Sequence, residues 1–516
     1  MSESTEHKPN ISPKTRWAVI ASALVAFCGV LSETAMNVTF PNLMGVFHQS
    51  LDNIQWITTG YLLTVAIIMT TSPFIKTKFK ERTLFFTALA SFILGTIIGL
   101  ITPNFEIMMV ARVLQGAATG IAIPLMINII LERIPRQHVG AWLGFGGMIV
   151  SLAPAIGPTY GGLIIQYMDW RWIFAFILIV PIIAFLMGFK TIENSDVKKK
   201  PISFDFLAFI LLSITLVSLL MTINSLVKPH VNYWWLGTFI IAIILYIVRA
   251  LTSKSKFLNI RVFKSLPFTL SILAYAVYQF SNLGANFIIP NFLQVSHNMT
   301  SFKAGLVLFP GTLIGAIANQ KIGELYDRKG PKIGLFVGNI IFVLTLLFGV
   351  FYTKNFAFVS MIIFYVFFTL GRNAPFGTTM TNALAKMNPE EQPEGTAIFQ
   401  TVQQFAGALG TVISGLIVTK SATIPTVNEL KAPVTKKVQE QMMHLSPAKL
   451  HELGPNGIKA LGESLVKSGI KDKIVGAEQH MMQVGTQRVF LMFMILAAIN
   501  FVLFVIILAK QKNHQI

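Results

Sequence analysis

Residues 26–40 read AFCGVLSETAMNVTF. Following TRWAVIASALV, they complete an apolar window over 17–38, and about 20 mainly apolar residues are what a helix needs to cross roughly 30 Å of hydrocarbon. Windows of the same kind recur near 54–74, 83–101, 107–131, 140–165, 172–190, 206–226, 234–252, 267–291, 304–323, 332–352, 356–381, 396–419 and 489–510. Only helices and closed barrels satisfy the backbone in lipid, and barrel strands are short and alternating, so the reading is fourteen membrane helices. Within them Glu33 is the single carboxylate that lies well inside a span. An ionisable group in hydrocarbon costs several kcal/mol, which marks Glu33 as a proton or ion carrier.

Composition agrees with a membrane solvent. The 516 residues are 53% hydrophobic and only 12% charged, more apolar sequence than a water-soluble core of this size would bury. The net charge of +19 would suit a nucleic-acid binder, but its distribution points elsewhere. Even-numbered connections carry Lys76, Lys78, Lys80, Arg82, Arg133, Arg136, Lys190, Lys198 to Lys200, Arg249, Lys254, Lys256, Arg261, Lys264, Lys321, Arg328, Lys329 and Lys332. Short connections of the other parity hold only Arg171, Lys228, Lys303 and Lys354. This is the positive-inside pattern, and it places both termini in the cytoplasm with no nucleic-acid ligand required. Cys28 is the one cysteine, so neither a disulfide framework nor a metal cluster is expected. The polar segment 1–16 lacks a signal-peptide cleavage site, and the first apolar stretch should remain as a helix.

Between the tenth and eleventh spans lies GELYDRKGPK, from Gly323 to Lys332. It resembles the G-x-L-x-D-R-x-G-x-K loop of the major facilitator superfamily, which implies that Asp327 and Arg328, in a turn bounded by Gly323 and Gly330, help to close an inner gate. The matching stretch of the first half is IKTKFKERTL, where Thr77 stands at the Asp position and Lys80 at that of the second Gly. RVLQGAATG, Arg112 to Gly120, is similar to the superfamily's fourth-span motif, whose buried arginine takes part in proton transfer. APAIGPTYGG, Ala153 to Gly162, resembles the fifth-span signature associated with antiporters. Physically, Gly157, Gly161 and Gly162 permit close helix approach, and Pro154 and Pro158 bend the helix where neighbours can satisfy the freed carbonyls. Fourteen spans, IQWITTGYLL at 54–63 and LSETAMNVTFP at 31–41 are similar to the fourteen-span drug:proton antiporter family. Many of its members carry Asp at the position of Ser32, whereas here the acid comes one residue later, a rotation of about 100° on a helix.

The resemblance implies an all-α integral membrane protein with the major facilitator fold, two six-helix halves and two extra helices between them. The expected divisions are a cytoplasmic segment 1–16, a first half 17–190, inserted helices 206–252, a second half 267–510 with an outer loop 420–487, and a tail 511–516. Glu33 and Arg112 each lie roughly 9 Å from the outer ends of their spans at 1.5 Å per residue, so they are placed to meet. A switchable Glu33–Arg112 pair would couple proton binding to motion, because a shifting arginine alters a carboxylate's proton affinity; a fixed pair would only join two helices. Tyr275, Gln279, Asn282 and Asn286 form one stripe, and Gln400, Gln403 or Gln404, Gly407 and Thr411 another. Asn37 is one turn from Glu33, Gln115 one turn from Arg112, and Trp56 and Tyr61 are candidates for a cavity edge. Such stripes face a wet cavity or hydrogen-bond to neighbouring helices. Trp170, Trp172, Trp234 and Trp235 are expected in interfacial belts. Arg372 is the pseudo-symmetric counterpart of Arg112, with no acid in the second-half spans to answer it.

The reading that follows is a non-enzymatic, proton-driven antiporter of a bacterial plasma membrane that exports hydrophobic or amphipathic small molecules. Protons and membrane lipids are its other partners, a monomer is expected, and no cofactor or metal is needed. One alternative keeps the fold and exports a lipid, fatty acid or other anionic metabolite. Another is a receptor or scaffold that does not transport. Loop 420–487 is either a solvated cap or a hairpin touching anionic lipid heads or wall polymers.

Overall fold

The computed structural model describes residues 11–193, 204–226, 231–253, 260–385, 387, 392–423, 425, 427–443 and 447–512. The first ten residues, the end of the tail and Lys198 to Lys200, Lys228, Lys254 and Lys256 lie outside them. Thirteen helices are long and apolar enough to cross a membrane, and a bent pair makes fourteen. The first half contains α1 (Pro13–Met36), α2 (Leu51–Thr70, continuing after a 55° bend as Ser72–Lys78), α3 (Glu81–Ile101), α4 (Phe105–Arg133), α5 (Arg136–Tyr167) and α6 (Trp172–Thr191). The inserted pair is α7 (Phe206–Ser225) and α8 (Tyr233–Thr252). The second half contains α9 (Leu266–His297), α10 (Ser301–Leu306 and Leu308–Lys329), α11 (Pro331–Tyr352), α12 (Phe358–Leu384), α13 (Gln392–Thr419), the shorter α14 (Val427–Met443) and α15 (Pro447–Lys512).

Local chemistry sets where these helices begin. Ser12, Asn104, Asp205 and Thr300 each accept a backbone N–H with the side chain at a helix start, satisfying donors that lipid would leave bare. Gly330 adopts φ +71°, a left-handed conformation that a side chain would strain, and Pro331 follows at the first position of α11. The turn inside GELYDRKGPK is thus built from its Gly-Pro pair. Of Gly323 and Asp327 only the backbone, inside α10, is described; Arg328 is exposed.

Where α1 ends, at the distal face, the two halves share one apolar cluster, which includes Met36 and Phe40 with Phe287, Phe292 and Val307. At the proximal face, where α1 begins, each half keeps its own: Ala18 to Ile192 in the first, Val262 to Phe399 in the second. Polar bonds follow the same division. Asn291 donates to the Asn37 carbonyl at 3.3 Å, Gln294 to the Val38 carbonyl at 3.0 Å, and the hydroxyls of Thr59 and Thr411 lie 2.9 Å apart. The halves therefore close distally and are separately packed proximally. At the proximal face of the first half, Lys76 pairs with Glu132 at 2.8 Å and Arg133 with Glu81, so ion pairs hold α2, α3 and α4 although Thr77 replaces the motif's Asp.

The segment 420–487 is largely helical. α14 packs through Leu430, Val434 and Val438 on Leu465, Val466, Ile470 and Ile474 of α15, which runs on into the last span without a break. These helices form a hairpin. The tryptophans divide: Trp172 and Trp234 are exposed and Trp235 half-buried, but Trp170 is 2% exposed and packs against Phe47 and Phe174, which corrects its expected place in a belt. Its neighbour Arg171 covers the ring at 4.5 Å and bonds the Thr102 carbonyl, tying it into the core.

If the Thr59–Thr411 contact is part of the distal seam, a Thr59→Cys/Thr411→Cys pair on a Cys28→Ala background should cross-link on mild oxidation. Gel mobility checks the bond, and transport is expected to stop when it forms and return on reduction. Absence of the cross-link in the resting protein would contradict the seam.

Candidate functional site

The antiporter-like stretch of α5 forms part of the distal seam. Gly161 lies against the backbone of Ala35 on α1, and Gly162 against the backbone of Ser301 on α10, so a Cβ at either position would meet main chain that cannot yield. Gly157 abuts Thr34, and Pro154 and Pro158 lie within the helix. One face of α5 thereby touches the helix carrying Glu33 while another touches the opposite half. Small residues at both contacts bring the helices this close.

Directly inside the seam is a buried polar cluster centred on Arg112, which is 0% exposed. Its Nε donates to the Ile57 carbonyl at 2.8 Å, and its Nη1 to Ser32 Oγ at 2.9 Å and to Gln115 Oε1 at 2.7 Å. The guanidinium covers the ring of Tyr61 at 4.6 Å, and Tyr61 donates its hydroxyl to Thr119 at 2.8 Å. Gln115 in turn donates to Thr96 at 2.9 Å. Four helices, α1 to α4, thus hold one cation.

Glu33 sits near this cluster, 5% exposed, and feels the charge of Arg112. It makes no ion pair with Arg112: Glu33 Oε1 and Arg112 Nη2 are both buried and both without a hydrogen-bond partner. Ser32, where the resemblance places an acid, occupies the arginine instead. The expected meeting of Glu33 and Arg112 is therefore one of proximity, not of contact, in this conformation. The one-residue offset explains it, because the α1 face turned to Arg112 presents position 32 and points position 33 aside.

Other predicted residues divide by environment. Tyr61 and Trp56, read as a cavity edge, are buried: the first is the platform under Arg112, and the second packs with Leu62, Leu283 and Val412. Asn37 accepts from Thr58 at 3.0 Å, and Asn286 accepts from Tyr365 at 2.6 Å, so both brace neighbouring helices. Tyr275 donates to Gln403 at 2.7 Å. Gln279 is buried, while Asn282, Gln400 and Gln403 are half-buried. Arg372 donates to Asn373 and lies 5.2 Å over Phe376, apart from the Arg112 cluster. Sequence reasoning missed the hydroxyls of Thr96 and Thr119 and also Gln55, which is 0% exposed at the seam against Gly415 with both side-chain polar atoms unpartnered. Gln55 adjoins the quoted Trp56, but a single Gln near a helix start carries no periodic signal.

A bundle of two helical halves closed at one face around a buried charged cluster is an architecture of membrane transporters. The sequence profile of the Major Facilitator Superfamily matches residues 22–411, and the chain belongs to that family. Lincomycin resistance protein LmrB of Listeria innocua is 34% identical over 404 residues, covering 77% of this chain and 85% of that protein. LmrB of Bacillus subtilis is 33% identical over 403 residues, covering 77% and 84%. A putative multidrug resistance protein, MdtD, of Salmonella typhi is 23% identical over 414 residues, covering 78% and 86%. Among solved structures, the nucleoside transporter NupG matches with a TM-score of 0.59 at 10% identity, covering 96% of this chain and 99% of NupG. A D-xylose-proton symporter matches with a TM-score of 0.57 at 13% identity, covering 79% and 90%. At such identities these two speak for the fold alone.

Arg112→Lys keeps the charge but not the fork that reaches Ile57, Ser32 and Gln115 at once. Transport at saturating substrate is expected to fall by about tenfold or more while size-exclusion behaviour and thermal stability stay close to native. Native-like transport by this variant would contradict the role given to the fork.

Proposed function

We propose that the protein is a proton-driven antiporter that exports hydrophobic or amphipathic compounds from the cytoplasm across a bacterial plasma membrane, with Glu33 as proton carrier. The observation that carries this reading is the pair of orphaned groups, Glu33 Oε1 and Arg112 Nη2, both buried, both without a partner, and near enough for the arginine's charge to act on the acid. An ionised carboxylate left without a partner at this depth costs several kcal/mol, so the arrangement suits the neutral acid. When the proton leaves, the carboxylate gains an obvious partner in the free Nη2. Bringing the two together must draw Arg112 away from Ser32, Gln115 or the Ile57 carbonyl. Proton loss and helix movement are linked in this way.

Sidedness follows from the charge pattern. With the basic connections in the cytoplasm, the proximal face is the inner one, and the separately packed halves are consistent with an inward-opening, proton-loaded conformation. Cargo entering from the cytoplasm or inner leaflet coincides with departure of the proton. The transporter then opens outward through the seam at Gly162, Thr59 and Asn291, releases cargo, takes a proton from outside and returns. The end of α10 with Gly323, Asp327 and Arg328, and the turn at Gly330 that follows it, close the inner face during the outward phase. The names of the relatives, lincomycin resistance and multidrug resistance, support drug-like cargo. A receptor without transport is the less economical reading, since it leaves the orphaned pair without a purpose.

Glu33→Gln is isosteric and cannot cycle a proton. In proteoliposomes, uphill export driven by a proton gradient is expected to fall to the level of empty vesicles, while exchange of labelled for unlabelled substrate continues. Retention of uphill export would sink the assignment.

A further inference from the structure

The second half contains a buried cation that the proton cycle does not use. Arg372 is 8% exposed, and its electrostatic neighbours are Tyr365 and Tyr275, with no described carboxylate in ion-pairing range. One Nη2 bond goes to Asn373, and Nε has no partner. Its counterpart Arg112 has three acceptors and Glu33 beside it; Arg372 has one acceptor and an aromatic box. The guanidinium lies over Phe376, on which Tyr275 stacks at 4.2 Å with ring planes 13° apart, and Phe399 closes the far edge of Tyr275 at 5.0 Å. The Tyr275 hydroxyl donates to half-buried Gln403. Phe399 and Tyr275 belong to the apolar cluster that the second half keeps to itself at the proximal face, so the box lies where the halves do not close on each other.

A buried, under-paired guanidinium is costly, and a planar fork is matched by carboxylate, sulfonate or phosphate oxygens. Stacked rings beside it suit a flat apolar body. From this geometry we infer that the exported molecule is an amphipathic aromatic monoanion whose acidic group seats on Arg372 and whose apolar portion lies against Phe376 and Tyr275. The inference rests on the export function proposed above and narrows its cargo. It has an electrical consequence: a proton moving in and an anion moving out carry charge in the same sense, so each cycle moves two elementary charges.

The test uses the full-length protein in detergent and a matched pair of probes, pyrenebutyric acid and its methyl ester, with binding to empty micelles subtracted. Native protein is expected to bind the acid about tenfold more tightly than the ester. Arg372→Gln should lose that preference with ester binding unchanged, which also reports an intact fold; Arg372→Lys should keep part of it. Glu33→Gln should retain the preference, so a failure of the proton assignment is distinguishable from a failure of this one. In proteoliposomes, a potassium-valinomycin potential should drive the acid as two charges per molecule, twice the single charge that exchange of a proton for a neutral cargo moves, a readout that needs no variant. Equal binding of acid and ester to native protein, full preference in Arg372→Gln, or indifference of acid transport to the potential would overturn the inference.

Discussion

Everything in the first half is arranged around one guanidinium that must be satisfied away from water. Arg112 draws a carbonyl from α2, a hydroxyl from α1 and an amide from its own helix, and rests on the Tyr61 ring. An unpaired charge at this depth would cost several kcal/mol, so these partners fix how α1, α2 and α4 approach one another. Yet one nitrogen remains free next to a carboxylate with a free oxygen. The cluster is satisfied enough to be stable and incomplete enough to rearrange.

In the proposed cycle, the seam is what would carry that local incompleteness into motion of the halves. Glu33 is adjacent to Thr34, which packs on Gly157, and α5 in turn packs on Ser301 of the other half through Gly162. A shift of α1 toward or away from Arg112 is therefore felt where the halves meet. Close backbone contact makes the seam sensitive, because packed interfaces switch between discrete arrangements instead of deforming gradually. The two halves also differ in charge: the first sets an arginine near an unpaired acid, and the second leaves Arg372 among rings.

Much of the architecture could be read from the chain because hydrocarbon imposes a simple rule, that apolar windows of span length become helices. That rule located the α1 to α13 spans within a few residues. It was silent on 420–487, where a helical hairpin depends on packing Leu430, Val434 and Val438 against the side chains around Ile470 and Ile474, a tertiary contact that no window reveals. Glu33, Arg112 and Gln115 were legible as polar groups where lipid forbids them. Their connectivity was not: whether Ser32 or Glu33 meets the arginine depends on a rotation of α1 that sequence spacing does not fix. Tyr61 and Trp170 were misplaced for a related reason. Aromatic residues suit a cavity, a membrane interface or a core equally well, and only their surroundings in the fold, Arg112 of α4 over Tyr61 and Phe47 and Phe174 around Trp170, decide between them.

The central claim is that Glu33 surrenders its proton as cargo binds. It is tested most directly by adding substrate to the purified protein in weakly buffered solution and following pH. The account predicts release of about one proton per bound substrate, and none from the Glu33→Gln variant under the same conditions. Release of the same size from that variant, or binding by the native protein with no change in pH, would contradict it.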